Sequence, residues 1–511
     1  MNAKIRHRLS RSKRRVQRRL DKTKPIRGHR PVLSASNIHY EIADRVHGIS
    51  HGGIGAFHLL ARRIGLIDAI DRRLHLLVIH MPYHESDHVL NFAYNALCNG
   101  DCLQDIELRR NDVNFLDALG AQRIPDPTTA GDFCRRFNHD DIDTLQDVYD
   151  DVRIGVWRQQ PDAFFDRAIL DADGTLVPTG AKHKTGIGFA YDATCGYHPL
   201  LITLANTSEV MRIVNRPGNR PSHEGAADAL DRARDTCLRA GFRKILMRGD
   251  TDFSQTKHLD RWNDDGRVTF IFGFDAKLNL KNLAEDLPAN AWQTLHRRQA
   301  PELKTEARQR SPNVKDALVR EHEFETLRLQ SEEIAEFPYR PTACKTEFRM
   351  VVVRKNISKE KGEIRLHDEI RYFFYITNDW FTPAADIVLA PHGANGRCQQ
   401  ENVIQQMHSG VHALHAPVNT LLSNWAYMVM TSLAWNLKAW AALSLPETGR
   451  WSEKYRAEKA WLLGIEFKTF INALVAIPCQ IVKQARRIVY RVLAYNPYQT
   501  LFFRLLDTLH C

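Results

Sequence analysis

Acidic residues in two parts of the sequence have the types and positions that divalent-cation chemistry requires. Asp171 and Asp173 end an apolar run that begins at residue 168. Asp250 ends a second apolar run, and Asp252 follows two residues later. Side chains two positions apart on a strand lie on one face, and Mg²⁺ prefers carboxylate oxygens as ligands. Aspartates in turns also form Asx-turns and helix caps, so each motif alone is equally compatible with a structural role.

A third candidate acid is Glu401, which stands in a stretch with helical spacing. If residues 397–408 are helical, one face carries Arg397, Glu401, Gln405 and His408. One carboxylate flanked by groups that can bind phosphate suits a site for both metal and DNA. A surface helix with one charged pair would show the same spacing, so this stripe alone decides nothing.

The elements that must position these acids follow from the apolar periodicity. Strands are predicted at residues 168–173, 187–193, 199–205, 244–247 and 268–274, and helices at 226–240 and 254–263. In chain order this is strand, strand, strand, helix, strand, helix, strand. Two further strands are predicted at 348–354 and 370–377, and the chain from residue 397 is predicted to be helical to its end, including the basic amphipathic segment 481–493.

A helical domain is predicted to precede these strands, at residues 35–160. Apolar residues recur there at spacings of three and four, as in residues 54–64. Asp126 or Thr128 is expected to cap a helix that begins through Pro127.

The positive charge of the chain is concentrated at its N-terminus. The net charge is +11, but residues 1–30 hold 13 Lys and Arg against one acid, Asp21. The other 481 residues carry 58 basic and 59 acidic side chains and are almost neutral. A basic arm of this kind favours a polyanionic partner, above all nucleic acid, although a solvated tail or a transit peptide has a similar composition.

Composition and hydropathy exclude several other classes of protein. A hydrophobic fraction of 43% with 26% charged residues is normal for a folded chain. Nine cysteines without a C-x-x-C pair indicate reduced thiols and no zinc site. Residues 416–437 are uncharged but include seven Asn, Ser and Thr, which favours a buried core helix over a membrane span.

Taken together, these motifs resemble the DDE transposases of bacterial insertion sequences, in their cut-and-paste branch. The first acid of that family sits in a D-G-T setting, which Asp173-Gly174-Thr175 matches, and the second in a pattern like R-x-D-[ST]-x-F, which residues 248–253 match. The third is a glutamate on a helix after a β-rich insertion, as Glu401 is. The family signature Y-x₂-R-x₃-E-x₆-K is half kept: Arg397 and Glu401 fit, but Ala394 and His408 replace its Tyr and Lys.

The resemblance implies an α/β fold, with an RNase H-like mixed sheet carrying a DDE triad, a β-rich insertion, an N-terminal helical domain and a helical C-terminal region. The implied divisions are a basic arm (1–34), a helical DNA-binding domain (35–160), the first part of the catalytic core (161–275), the insertion with a connecting strand (276–380), the second part of the core (381–445) and a C-terminal helical region (446–511).

The resemblance also implies a function and a site. Asp173, Asp250 and Glu401 would hold two Mg²⁺ ions, for which Mn²⁺ can substitute, with Arg397 and His408 on DNA phosphates and Asp171 as an alternative or supporting ligand. The reaction would be strand cleavage at terminal inverted repeats, followed by strand transfer into target double-stranded DNA. A homodimer without membrane association, in the bacterial cytoplasm at the nucleoid, is expected.

Two alternatives from other classes remain open on sequence grounds. One is a DNA-binding protein derived from a transposase but without catalysis. The other is a haloacid-dehalogenase-type phosphatase, because residues 169–177 also fit its D-x-D-G-T motif, with Asp171 as nucleophile and Asp173 as general acid. That fold requires crossover helices after the first strand, and the chain between the predicted strands 187–193 and 199–205 is too short for one.

Overall fold

Helices make up most of the chain before residue 160. A computed structural model describes residues 2–21, 38–40, 46–80, 82–180, 183–297, 318, 325–361, 364–484 and 487–510. The first elements are α1 (Ala3–Asp21), β1 (Gly48–Ile49), α2 (Ile54–Arg63), α3 (Leu66–Arg73), α4 (Glu85–Leu97), α5 (Ile106–Arg110), α6 (Val113–Leu119), α7 (Pro127–Cys134) and α8 (His139–Trp157). The N-terminal part of the basic arm is thus an exposed helix, and its residues 22–34 lie outside the described part of the chain.

The predicted cap at Pro127 is confirmed. The side chain of Asp126 accepts a hydrogen bond from the amide of Thr129 at 2.9 Å, and Pro127 occupies the first turn of α7. Proline suits this position because the first amides of a helix have no intrahelical partner.

A mixed sheet follows the helices. Its elements in chain order are β2 (Arg167–Gly174), β3 (Val177–Pro178), β4 (Gly188–Phe189), β5 (Cys195–Tyr197), β6 (Leu200–Leu204), β7 (Glu209–Val214), α9 (Ala226–Ala240), β8 (Lys244–Gly249), α10 (Thr256–Asp264), β9 (Val268–Phe274), α11 (Leu278–Glu285), β10 (Gln293–Thr294), β11 (Glu325–Tyr339), β12 (Phe348–Lys361) and β13 (Ile364–Thr377). Nine strands form the sheet in the order β10-β11-β12-β13-β9-β8-β2-β6-β7. β8 runs parallel to both β2 and β9, and the other neighbours are antiparallel.

One predicted strand is wrong, and another was missed. Of residues 187–193 only Gly188–Phe189 is extended, in a separate small sheet of β3, β5 and β4, and Tyr191 is fully exposed. The third core strand is instead β7. The hydrophobic pattern did not indicate β7, because this strand contains the charged residues Glu209 and Arg212. Both are buried with partners: Glu209 accepts hydrogen bonds from two tryptophans, and Arg212 pairs with Asp150.

The long strands β11, β12 and β13 extend the core sheet. β13 pairs with β9 over Phe374–Thr377, so the region after residue 276 joins the sheet at the edge formed by β9. Each of these three strands has 14 or 15 residues. The sequence analysis predicted β12 and β13, but the predicted ranges, 348–354 and 370–377, cover only the most apolar end of each strand.

The C-terminal region packs a buried helix beside the sheet. Its elements are α12 (Ala384–Leu389), α13 (Cys398–Ser409), α14 (Leu421–Leu443), α15 (Ser452–Gly464), α16 (Phe467–Phe470), β14 (Cys479–Gln484), β15 (Arg487–Val492) and α17 (Gln499–His510). α14 is the uncharged helix predicted for the core, and it is buried along nearly its whole length. Polar side chains on it bind other elements: Asn436 accepts a hydrogen bond from the amide of Val210 and donates one to its carbonyl, both at 3.0 Å. Among the described residues, no helix combines the length and apolarity needed to cross a membrane.

The helical prediction for residues 481–493 is wrong. This segment lies in the antiparallel strands β14 and β15, and β14 also pairs with β1. Clusters of Ile and Val give either an amphipathic helix or a strand, and β-branched residues prefer the strand when an edge is available. Here β14 and β15 supply that edge to each other, and Gly48–Ile49, far away in sequence, pairs with Cys479 and Gln480 at the start of β14.

Candidate active site

Two of the candidate acids meet where adjacent parallel strands end. β2 and β8 pair Asp171 with Arg248, and continuing this register by two residues places Asp173 beside Asp250. The Asp173 side chain is 17% exposed. Asp250 caps the following turn by accepting a hydrogen bond from the Asp252 amide at 3.0 Å. Because β2 and β8 are parallel neighbours, the acids of the two motifs, Asp173 and Asp250, lie at one edge of the sheet although they are far apart in sequence.

The electrostatics of this edge favour a cation. Burial raises the pKa of Asp173 to about 6; the guanidinium of Arg397 lowers it and the neighbouring charge of Asp250 raises it. Burial also raises the pKa of Asp250, again against the opposing effect of Arg397. Two neighbouring carboxylates that resist ionisation gain from a positive charge placed between them.

Arg397 and the helix that follows it form the other side of the site. Arg397 ends a single 3₁₀ turn (Ala394–Arg397), and its Nη1 donates to Asp173 Oδ2 at 2.9 Å. α13 is fixed to the sheet by the buried Gln400, whose Nε2 donates to the carbonyls of Asp171 (2.9 Å) and Leu201 (3.1 Å). These bonds define which face of α13 is turned toward the strand ends.

Glu401 lies on the first turn of α13, next to Gln400, and its side chain is exposed. Together with Asp250 and Arg397 it lines a cleft of about 400 Å³. The aromatic segment Tyr372–Tyr375 of β13 also lines this cleft. The structure thus places the third candidate acid in the same cleft as Asp250 across a separation of 151 residues in sequence.

The donors at the strand ends and in the cleft fit a hard divalent cation: Asp250 and Glu401 line the cleft, and Asp173 lies beside Asp250. Asp173, Asp250 and Glu401 offer carboxylate oxygens, which Mg²⁺ and Mn²⁺ prefer. The three carboxylates do not all lie within 4.8 Å of one another, and Arg397 is bonded to one oxygen of Asp173. Binding of a cation by all three acids therefore requires side-chain movement, which the exposed Glu401 is free to make.

A second group of ligating side chains lies elsewhere. Within the described ranges, His80, His84 and Glu85 are the three such residues whose ligand atoms lie within 4.8 Å of one another. The carboxylate of Glu85 is buried and accepts hydrogen bonds from the amides of Leu76 and Leu77 at 2.9 and 3.0 Å. The buried carboxylate is therefore satisfied by backbone amides, and it holds the chain before α4 in place.

Asp171 is not in the cleft. Its side chain is 1% exposed and forms a bidentate ion pair with Arg248, with contacts of 2.6 and 2.8 Å. Arg248 also donates to the carbonyls of Pro391 (3.1 Å) and Gly393 (2.9 Å) in the segment that leads to Arg397. The pair therefore joins β2, β8 and that segment. Sequence reasoning quoted Arg248 within its motif but assigned it no role.

His408 lies two turns beyond Glu401 and faces the same strand end. Its Nε2 is 3.0 Å from the hydroxyl oxygen of Thr175, two residues after Asp173. Burial lowers the pKa of His408, and the nearby His415 lowers it further. His408 is therefore neutral at pH 7 and lacks the charge of the lysine that it replaces.

The fold and the site define a mixed α/β protein with paired carboxylates at the ends of parallel strands. The chain belongs to the family described as "Transposase DDE domain group 1", whose family model matches residues 44–511. Among solved structures, a piggyBac transposase synaptic complex with hairpin DNA matches with a TM-score of 0.31 and 11% identity, covering 82% of this chain and 80% of that one. No curated protein sequence matches the chain.

Family membership confirms the resemblance to DDE transposases and removes the phosphatase alternative. In addition, β6 and β7 follow β2 antiparallel to their neighbours, which a doubly wound parallel sheet does not allow. The nucleophile expected there, Asp171, is buried and bonded through both oxygens to Arg248.

Proposed function

We propose that the protein is an insertion-sequence transposase that cuts DNA at terminal inverted repeats and joins the ends to target DNA. The observation that carries this proposal is the meeting of Asp173 and Asp250 at the ends of β2 and β8, with Glu401 in the same cleft. Membership of the DDE transposase family supports the reaction class.

In this proposal the three acids form the metal site. Asp173, Asp250 and Glu401 would hold two Mg²⁺ ions, which supply activation of the attacking water and stabilisation of the leaving 3′ oxygen. Arg397 would exchange its bond to Asp173 for a bidentate bond to a DNA phosphate. His408 would contribute only a neutral hydrogen bond. The freed 3′-hydroxyl would then attack a phosphodiester of the target strand and displace that strand's 3′ oxygen, so no covalent protein intermediate is needed.

We propose further that the sheet is an RNase H-like catalytic core. The support is its topology: three antiparallel strands (β2, β6 and β7), then α9, parallel β8, α10 and parallel β9. β11 to β13 would be the inserted region between the second and third acids. In the proposed division, residues 161–275 and 381–445 form the core around an insertion at 276–380.

Double-stranded DNA is the proposed partner, and the helical region 35–160 would bind the inverted repeats. The basic arm would add affinity that is independent of sequence and sensitive to salt. Two copies of the chain would join the two ends of the element, and the expected setting is the nucleoid in a bacterial cytoplasm.

Glu401 offers the sharpest test. We expect Mg²⁺-dependent nicking of a duplex that carries the element's own inverted repeat, at the repeat boundary, and loss of nicking in Glu401→Gln. A matched control is Glu453→Gln, which changes an exposed glutamate in the first turn of another helix, α15, and leaves nicking intact. Specific binding without nicking by the unaltered protein would instead favour the non-catalytic alternative.

A further inference from the structure

Arg216 is a buried cation beside the first acid. It follows β7 and is 5% exposed. Its Nε donates to the carbonyl of His198 at 2.9 Å, and its Nη1 donates to the carbonyls of Pro221, Ser222 and Glu224 at 3.0, 2.8 and 2.7 Å. The hydrogens on Nε and Nη1 are thus used in bonds to backbone carbonyls at residues 198 and 221–224, and Nη2 takes no part in these bonds.

The charge of Arg216 has no bound counter-charge. Within the described residues it forms no ion pair, and its Nη2 has no hydrogen-bond partner. The carboxylate of Glu224, which raises the pKa of Arg216, is bonded to the exposed Arg220. Burial lowers the pKa of Arg216 to about 10, although Glu224 opposes this effect. A buried guanidinium bonded only to neutral carbonyls is costly, so an anion that reached its free Nη2 would be bound strongly.

The free Nη2 points to the turn that carries Asp173. A Cβ atom built on Gly174 would lie 3.5 Å from Arg216 Nη2 and 2.8 Å from His198 Nε2. Gly174 therefore lets both nitrogen atoms lie close to the backbone of the turn, and the His198 ring covers this position. The His198 ring is partly exposed, and one hydrogen bond holds it, between its Nδ1 and the carbonyl of Arg220 at 3.0 Å.

We propose that Arg216 binds a backbone phosphate of DNA at Gly174, after the His198 ring rotates away. This phosphate would neighbour the one held at Asp173 and Asp250, on the side of β6 and opposite Arg397. The inference rests on the proposed function, since the ligand is a DNA strand that crosses the carboxylate edge. It adds a phosphate contact that the sequence motifs did not indicate.

The geometry matches the ligand. Nη2 offers two N–H donors to one phosphate, and the absence of a side chain at residue 174 allows the strand to approach the backbone closely. β6 is the neighbour of β2 on this side, while β8 and Asp250 lie on the other. Phosphates on both sides of the scissile bond would then meet a guanidinium, Arg397 on one side and Arg216 on the other.

The test is metal-free binding of the full chain to the inverted-repeat duplex, measured by fluorescence anisotropy over a series of KCl concentrations. Arg216→Gln is expected to weaken binding about tenfold and to reduce the slope of log affinity against log salt by about 0.9, the value for one phosphate. Gly174→Ala is expected to do the same, because its methyl group would lie 3.5 Å from Arg216 Nη2, where the phosphate must approach.

His198→Ala should keep the slope and affinity of the unaltered protein or improve them, since it removes the ring that must move. If Arg216→Gln does not fold, loss of slope in Gly174→Ala together with its retention in His198→Ala still decides the question. The control is Arg239→Gln on α9, which removes one positive charge that is paired with Asp151 of α8.

Unchanged slopes in Arg216→Gln and Gly174→Ala would overturn the subsite while leaving Glu401-dependent nicking, and so the proposed function, intact. Absence of any DNA binding or nicking by the unaltered protein would overturn both proposals.

Discussion

Asp171 and Asp173 stand two residues apart, yet their conversion to asparagine is expected to change stability in opposite directions. Asp171 is 1% exposed and neutralises Arg248, which is equally buried. Asp171→Asn leaves the guanidinium charge buried without a counter-charge. Breaking a buried ion pair in this way costs about 3–5 kcal/mol of unfolding free energy.

Asp173→Asn is expected to have the opposite effect on stability. Burial raises the pKa of both acids, but Asp171 neutralises the buried Arg248, whereas Arg397, the partner of Asp173, is 18% exposed and can be solvated when the acid is replaced. The pKa of Asp173 is raised from 3.8 to about 6, so at pH 7 the protein holds ionised a group that the fold prefers to keep neutral. One unit corresponds to about 1.4 kcal/mol, so the ionised carboxylate costs on the order of 3 kcal/mol above pH 6. Asp173→Asn is therefore expected to stabilise the protein by roughly 1–3 kcal/mol at pH 7, a gain that disappears as the pH falls toward 4 and the unaltered Asp173 takes up its proton.

The assay measures the unfolding free energy of the unaltered protein, Asp171→Asn and Asp173→Asn in urea at pH 7 and pH 4.5. Mn²⁺ binding to each protein is measured by calorimetry at pH 7. Mn²⁺ binding at the cleft should be lost in Asp173→Asn and retained by the folded fraction of Asp171→Asn. The control is Asp264→Asn at the exposed end of α10, which should change stability by less than about 0.5 kcal/mol. Equal destabilisation by Asp171→Asn and Asp173→Asn, or Mn²⁺ binding lost only in Asp171→Asn, would refute this assignment of the two acids.

Two further predictions concern the metal and the arm. Because the proton on Asp173 must leave before a cation binds, Mn²⁺ affinity should fall about tenfold per pH unit below pH 6 in calorimetric titrations, and a flat profile between pH 5 and 7 would contradict this. Deletion of residues 1–30, which hold 13 basic side chains, should flatten the dependence of DNA affinity on salt. An unchanged slope in that deletion would exclude phosphate contacts by the arm.

Several elements were predictable because their signals are local. Helix Ala226–Ala240 and strand Val268–Phe274 coincide with the predicted bounds, and the Asp126 cap needs only four neighbouring residues. The buried helix α14 could be distinguished from a membrane span because its Asn, Ser and Thr content is unsuited to hydrocarbon. In these segments, the residues that determine the structure are adjacent in the sequence.

Other elements could not be predicted because distant partners decide them. β7 is a core strand although Glu209 and Arg212 are charged, since Trp157, Trp440 and Asp150 meet them from other elements. Residues 481–493 have a pattern that fits both a helix and a strand. In the structure they form the antiparallel pair β14 and β15, and β1, more than 400 residues earlier, pairs with the first two residues of β14.

The candidate site shows the same division. The sequence alone determined the types and order of the acids, and with them the family that the comparison confirms, because motif spacing is written along the chain. Period-two geometry puts Asp171 and Asp173 on one face, and only the resemblance to the D-G-T motif favoured Asp173 as the first acid. The tertiary structure gives them different surroundings: Arg248 on the neighbouring parallel strand binds Asp171 in the interior, while Asp173, two residues nearer the strand end, lies beside Asp250 and Arg397. Burial and charge at a position depend on what packs there, and no local pattern contains that information.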